Sequence, residues 1–407
     1  MKAYVATLPN GGQLEYVDKK RWFWTLCLAY ALLPFTGIIP HALTGNEWWF
    51  TLPLLLAYVV GPILDWIMGE DENNPPQEVI SQLEQDHYYR RLTYISVPLH
   101  FLSFLGAAAY AATQDLSIIG FAALAFVAGL ASGLAINTAH ELGHKNSRVE
   151  KFLAKIALAI PAYGHFTIDH NLGHHRNVST PSDPASARMG ETIYKFALRE
   201  VPGAFLEAWS LEKDRLARRG KSVISPNNQI LQSFAITAFI GLCLILALGW
   251  IVVPFILVHN VFAWWQLTSA NYVEHYGLLR QKDATGKYEK CQPHHSWNSN
   301  HIYSNLVLLH LERHSDHHTH PTRRYQSLRH YDDLPSLPSG YFGTYLLAYV
   351  PKLWFRVMDK RLLALPQIEG DLDRVNIDPD ARSALFLRYG REKMNEPTIV
   401  LEESFFK

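Results

Sequence analysis

Residues 116–144 read LSIIGFAALAFVAGLASGLAINTAHELGH: an apolar run, uncharged as far as His140, that ends in two histidines four positions apart. A bilayer core needs roughly 20 apolar residues in a helix, and 116–139 meets that length. Five further windows read the same way: about 22–43, 48–69, 92–113, 229–249 and 250–270. The links between the first and second, third and fourth, and fifth and sixth windows are very short, so each pair reads as a helical hairpin. The first pair turns at Thr44-Gly45-Asn46 and the third near Gly249-Trp250. The expected fold is therefore an all-α integral membrane protein with six transmembrane helices.

Lysine and arginine set the orientation of such a bundle. Lys2, Lys19, Lys20 and Arg21 precede the first window, and Arg90 and Arg91 lie between the second and third. The stretch 140–228 and the C-terminal part are rich in both, whereas the three short links carry neither. Both termini and the stretch after His140 are thus expected on the cytoplasmic side. This divides the chain into a transmembrane bundle (1–270) with a cytoplasmic insertion (140–228), and a cytoplasmic cap (271–407). Within the insertion, 152–163 is apolar but too short to cross. It reads as an interfacial or buried helix, with a re-entrant segment as the alternative. From about residue 366 the tail is polar and broken by Gly and Pro, so it either packs on the cap or stays loose.

Composition narrows the function. Lys+Arg and Asp+Glu are both 37, and this neutral balance argues against nucleic acid as a partner. A mean hydropathy of -0.04 looks soluble only because apolar windows and polar loops average out. Aromatic content is 13%, as expected where rings sit at membrane interfaces. Cys27, Cys243 and Cys291 form no CxxC pair, which excludes a zinc ribbon or rubredoxin module; Cys27 and Cys243 read as small apolar filler. Residues 1–21 are polar, so no cleavable leader is expected.

Nine histidines fall into four boxes, each just past an apolar window: His140 and His144; His170, His174 and His175; His275; and His314, His317 and His318. Imidazole is a good ligand for iron, zinc and copper. Residues i and i+4 share a helix face, so His140 with His144, and His170 with His174, are each expected to reach one ion. His175 then reaches toward a second. Nine ligands are too many for one ion and for a closed four-coordinate zinc site, so the count suggests a metal pair. Glu141, Asp169, Glu274, Glu312 and Asp316 lie beside these ligands. Glu141, Asp169 and Glu274 are the candidates to accept the ring N–H behind a bound imidazole, against the plainer reading of surface acids or caps. His41, His87, His100, His259, His294, His295, His301, His310, His320 and His330 read as ordinary hydrogen-bonded histidines.

At these boxes the chain resembles the membrane-bound non-haem diiron alkane 1-monooxygenases. The resemblance rests on His140-Glu-Leu-Gly-His-Lys145, Tyr163-Gly-His-Phe166, Asp169-His-Asn-Leu-Gly-His-His-Arg176, Thr180-Pro-Ser-Asp-Pro-Ala-Ser186, Asn271-Tyr-Val-Glu-His-Tyr-Gly277 and Leu311-Glu-Arg-His-Ser-Asp-His-His318. It spans roughly residues 15–370. The family commonly has Glu where this chain has Asp169.

The resemblance implies two iron ions and terminal hydroxylation of medium- to long-chain n-alkanes with O₂, in a bacterial inner membrane. It implies electrons from a rubredoxin and its NAD(P)H-dependent reductase. It also aligns Ala57 with the position on the second crossing where bulk limits alkane length. Two basic clusters are candidates for donor docking: Lys213, Arg215, Arg218, Arg219 and Lys221, or Arg323 and Arg324. A xylene-type alkyl side-chain hydroxylase and a membrane desaturase are the alternative enzymes. A histidine-lined metal transporter fares worse, because the boxes lie outside the spans.

Overall fold

Backbone groups in a bilayer must bond internally, which makes long apolar windows helical. The structure is a computed structural model and describes residues 2–390. Among these, α1 (Phe23–Thr44), α2 (Glu47–Met68), α3 (His87–Thr113) and α4 (Ile118–Gly143) are each long and apolar enough to cross. After α5 (Arg148–Ala159) and α6 (Ile193–Ala217), a fifth such helix, α7 (Gln229–Leu248), follows. The sixth expected crossing is a helix too, α8 (Val252–His275). At 1.5 Å per residue it is about 36 Å long, but it falls short of the others in apolarity. The reason is His259, Asn260, Gln266, Asn271 and Glu274, all buried. They face other helices: His259 Nε2 lies 2.7 Å from Ser132 Oγ of α4.

The hairpin turns form as their residues dictate. Gly45 ends α1 at φ 69°, a left-handed conformation that glycine adopts without penalty. Asn46 then starts α2, its side chain accepting from Trp48 N at 3.0 Å. Gly249 does the same between α7 and α8, at φ 81°. At this end Glu47 accepts from the Ser117 backbone N at 2.6 Å, tying the first hairpin to the start of α4.

Everything else gathers at the opposite end. The N-terminal hairpin β1 (Ala3–Thr7) and β2 (Gln13–Val17) packs on the link between α2 and α3. There Tyr4 Oη donates to Asp86, and Arg21 pairs with the same carboxylate, both at 2.7 Å. Three short helices, α9 (His314–Thr319), α10 (Tyr341–Ala348) and α11 (Pro351–Leu363), contribute to the cap. The described part of the tail packs: Ile368, Leu372, Val375, Ile377 and Leu385 are buried in the same core as Trp354 and Met358. Residues 391–407 lie outside the described part.

Three features of the chain position the site. First, α4 runs on through the first box, so His140 stands on the spanning helix itself. Second, α2 widens into a π turn at Leu56–Val60. Pro62 follows and has no N–H to give the Tyr58 carbonyl, so the α-helical bond there cannot form. Third, α5 folds back along the last turns of α4, where Ala154, Ala157 and Leu158 pack on Ile136, Ala139 and Leu142. Its end reaches the third turn of α7, where Thr237 Oγ1 donates to Ala159 O at 2.7 Å. The chain then turns and returns to the second box. Residues 148–159 are thus a helix with one buried side that returns the chain to the second box, as the interfacial or buried helix of the sequence reading does.

Candidate metal centre

All nine box histidines converge, in two groups. His140, His144, His170, His175 and His317 form one, and His174, His275, His314 and His318 the other. Within each group the candidate donor nitrogens all lie within 4.8 Å of one another. Expected partners are split here: His170 and His174 go to different groups. The cause is a π turn over Asp169–His174. Its wider i to i+5 repeat turns His170 and His175 the same way, with Nε2 atoms 3.1 Å apart, and sends His174 to the other side. In α9 the i, i+4 pair His314 and His318 stays together, Nε2 to Nε2 at 2.9 Å, while His317 joins the first group.

The nitrogens test whether this is a metal site. His317 Nε2 lies 2.9 Å from that of His140 and 3.1 Å from that of His175; His314 Nε2 is 3.1 Å from that of His275. Two imidazoles at metal bonds of roughly 2.1 Å and right angles are about 3 Å apart, which matches. Hydrogen bonds alone cannot satisfy such clusters, because a neutral imidazole has a single N–H. His144 Nε2 and His174 Nε2 are also buried without a partner. Five imidazoles in one group exceed a closed tetrahedral zinc site. The donor set therefore fits two ions.

Burial, reinforced by neighbouring rings, holds His144, His170, His175, His314, His317 and His318 well below the usual imidazole pKa. The rings are thus neutral and ready to ligate. His174 departs from this. Burial would lower it too, but the buried Asp183 carboxylate outweighs burial and raises it. The partner shift agrees: burial would raise Asp183, yet His174 holds it below its ordinary value. Asp183 Oδ2 accepts from His174 Nδ1 at 2.9 Å, which leaves Nε2 facing the group. His275 is oriented likewise, with Nδ1 3.1 Å from the His295 carbonyl.

The three acids singled out from sequence are placed differently. Glu141 pairs with Lys145 at 3.1 Å and accepts from Tyr325 N, away from the rings. Asp169 Oδ1 is buried with no partner. Glu274 does approach a box histidine, but from the ligating side: its Oε2 lies 3.4 Å from His314 Nε2, and its Oε1 accepts from Tyr341 Oη at 3.0 Å. Asp183 was missed because it takes the role from nine positions beyond His174. Its one signal was its place in Thr180-Pro-Ser-Asp183. None of the ten histidines read as ordinary joins either the five-histidine or the four-histidine group. His294 and His295 do sit with Glu289 in a third cluster. However, His295 Nδ1 accepts from Gln292 N at 2.9 Å. The Nε2 nitrogen must then carry the proton, and it faces Glu289 at 3.3 Å.

Both groups border one narrow cavity of about 40 Å³. His140, His170, His314 and Glu274 form its metal end, and Leu134 and Phe342 are among its apolar walls. Gln266 lies on its wall as well and accepts a 2.6 Å hydrogen bond from Tyr58 Oη of the α2 π turn. Ala57, one position earlier, is fully buried in the cluster that holds Leu130, Phe262 and Phe342, and does not line the cavity.

Apolar spanning helices around a double imidazole cluster define a membrane metalloprotein, and comparison with known proteins gives its class. Residues 117–350 match the fatty acid desaturase family. An alkane 1-monooxygenase of Ectopseudomonas oleovorans is 51% identical over 92% of this chain and 93% of its own length. Alkane 1-monooxygenase 1 of Alcanivorax borkumensis is 48% identical over 94% of both. A xylene/toluene monooxygenase hydroxylase component of Pseudomonas putida is 27% identical over 61% of this chain and 65% of its own. The chain belongs to the alkane 1-monooxygenase family and is an oxidoreductase.

Proposed function

We propose that this protein hydroxylates the terminal methyl of medium- to long-chain n-alkanes to primary alcohols. The observation that carries the reading is two imidazole clusters at the closed end of an apolar cavity within a membrane bundle. One oxygen atom of O₂ ends in the alcohol and the other in water, with two electrons and two protons consumed. His140, His144, His170, His175 and His317 would hold one iron, and His174, His275, His314 and His318 the other. When bound, the iron pair supplies O₂ reduction and C–H oxidation.

The protein's own residues do the rest. Asp183 and the His295 carbonyl fix two of the rings. Leu134 and Phe342 exclude water and present one chain end, which selects the terminal carbon by position rather than by bond strength. Six helices cross the bacterial inner membrane, α8 included, with both termini and the iron site on the cytoplasmic face. That places the boxes within reach of a soluble rubredoxin, re-reduced by its NAD(P)H-dependent reductase. Arg323 and Arg324 are poor docking residues, because they pair with Asp316 at 2.6 Å and Glu150 at 2.9 Å. Lys213, Arg218, Arg219 and Lys221 are exposed and offer the better face, whereas Arg215 is paired with Glu212.

Purified protein, given rubredoxin, reductase and NADH, should convert an octane-to-hexadecane series to primary alcohols by gas chromatography. Alkenes would instead assign a desaturase, and a preference for p-xylene over every alkane a side-chain hydroxylase.

A further inference from the structure

A second, larger cavity of about 450 Å³ opens behind the first two boxes. Arg148, Lys151 and Lys155 of α5 line it at spacings of three and four, hence from one helix face. Arg215 of α6 adds a fourth cation, and Glu212 is the one carboxylate on its wall. That carboxylate is already bound by Arg215 and by Gln229 N at 2.6 Å. Among the described residues Arg148 and Lys151 make no ion pair, and Lys155 has only the neutral Gln232 amide, at 2.6 Å. The charges of Arg148 and Lys151 are therefore uncompensated.

Phe152 and Leu172 also line this cavity, 59% and 52% exposed. Gln229, the first residue of spanning helix α7, sets its level at the end of the apolar bundle. Cations flanked by the exposed apolar side chains of Phe152 and Leu172 at that level match an anionic amphiphile. A free anion makes no use of these apolar side chains.

We infer that this groove binds an anionic phospholipid, its phosphate on Arg148, Lys151 and Lys155 and its acyl chain against Phe152 and Leu172. The cavity floor includes Gly143, Thr167 and Asn171. Asn171 Nδ2 donates to Gly143 O at 3.1 Å, joining the end of α4 to the π turn. An occupied groove thus clamps the supports of His144 and His170, independently of the substrate.

The test uses full-length metal-loaded protein in phosphatidylcholine bilayers with or without phosphatidylglycerol. Melting temperature and co-purifying phosphatidylglycerol are measured. Phosphatidylglycerol is expected to be retained several-fold above its share of the bilayer, to raise the melting temperature and to slow metal loss to a chelator. Arg148→Glu with Lys151→Glu should abolish all three effects, and the milder Lys151→Gln should weaken them. Lys282→Glu with Lys287→Glu, on a cap loop, should leave them intact. Equal behaviour of wild type in the two bilayers overturns the inference. So does an equal gain from inorganic phosphate in pure phosphatidylcholine, which indicates a free-anion site. A charge reversal that raises only the KM for the electron donor overturns it too.

Discussion

At the residue scale the site depends on nine imidazoles each turned with a ring nitrogen toward its group. Asp183 performs that task for His174, buried and also accepting from Ser186 Oγ at 2.6 Å. Asp183→Asn keeps the shape but removes the charge that makes the ring a better donor. Loss of such a partner typically costs about 10–100-fold in metal affinity. The variant should therefore bind near-normal iron in the five-histidine group and lose it from the other, seen as about half the iron by metal analysis. Unchanged iron content would remove Asp183 from the site. Protons compete for the same nitrogens. Six box histidines outside the spans have folded pKa values held below the unfolded value of about 6.5. Below that pH the unfolded chain takes up protons that the folded chain refuses, so stability present above about 6.5 is lost as pH falls. His174 runs the opposite way, adding stability at low pH that is lost as pH rises through its elevated value, but it is one ring against six. Melting temperature and iron retention should hold at neutral pH and decline together on acidification below about 6.5; a flat profile to pH 5 would falsify this. The nine clustered histidines were legible because histidine spacing survives in one dimension. Asp183 was not, since only the folded turn at 180–183 brings it back to His174.

At the element scale, spans were legible wherever apolarity ran unbroken. They were blurred in α8, whose polar side chains reach partners on neighbouring helices that a sequence does not display. The grouping of the second box was illegible for a different reason: HxxxHH fits an α-helix, and the π turn over Asp169–His174 changes which rings share a face. The close approach of α4 and α8 carried an unused signal, Gly129-Leu-Ala-Ser-Gly133, a spacing that lets membrane helices pack backbone to backbone. A Cβ on Gly129 would stand 2.6 Å from the His259 carbonyl oxygen and 2.9 Å from Phe262 Cβ. Backbone cannot swing aside as a side chain can. Gly129→Ala should therefore force the helices apart and cost about 1–3 kcal/mol. Because α4 carries His140 and α8 carries His275, the same shift should pull the two groups out of register. Calorimetry and iron analysis of one preparation check both effects. A variant that melts with wild type but has lost iron would assign the contact to the site rather than to stability, and one unchanged in both would show that the approach is not tight.

At the scale of the whole molecule, the cavity at the metal end is far too small for the chain it is proposed to hold. About 40 Å³ corresponds to a few water molecules, so an octane or longer chain must displace side chains beyond it. The wall includes Gln266, held by Tyr58 in the α2 π turn, with Gln266 Nε2 buried and unpartnered. Opening this contact leaves the buried Tyr58 hydroxyl unpaired at a cost of about 1–3 kcal/mol, which the apolar contacts of a bound chain must offset. Ala57, next to Tyr58 and fully buried, belongs to the same core cluster as the cavity-wall residue Phe342. Alkane length should therefore be set where α2 backs the cavity, and the small side chain at 57 leaves room for chains around dodecane and above. Ala57→Trp puts an indole into that space. The expected result is a profile displaced toward octane, with hexadecane hydroxylation falling most and octane least. Overpacking in a core costs about 1–3 kcal/mol in stability, so the variant is compared by the ratio of hexadecanol to octanol formed per iron, which a general folding defect leaves unchanged. Tyr58→Phe, which removes the bond to Gln266 while keeping the ring, should move that ratio the other way by easing displacement of Gln266. Ratios equal to wild type in both variants would separate α2 from the substrate path and leave chain length to be set by α4, α8 and α10 alone.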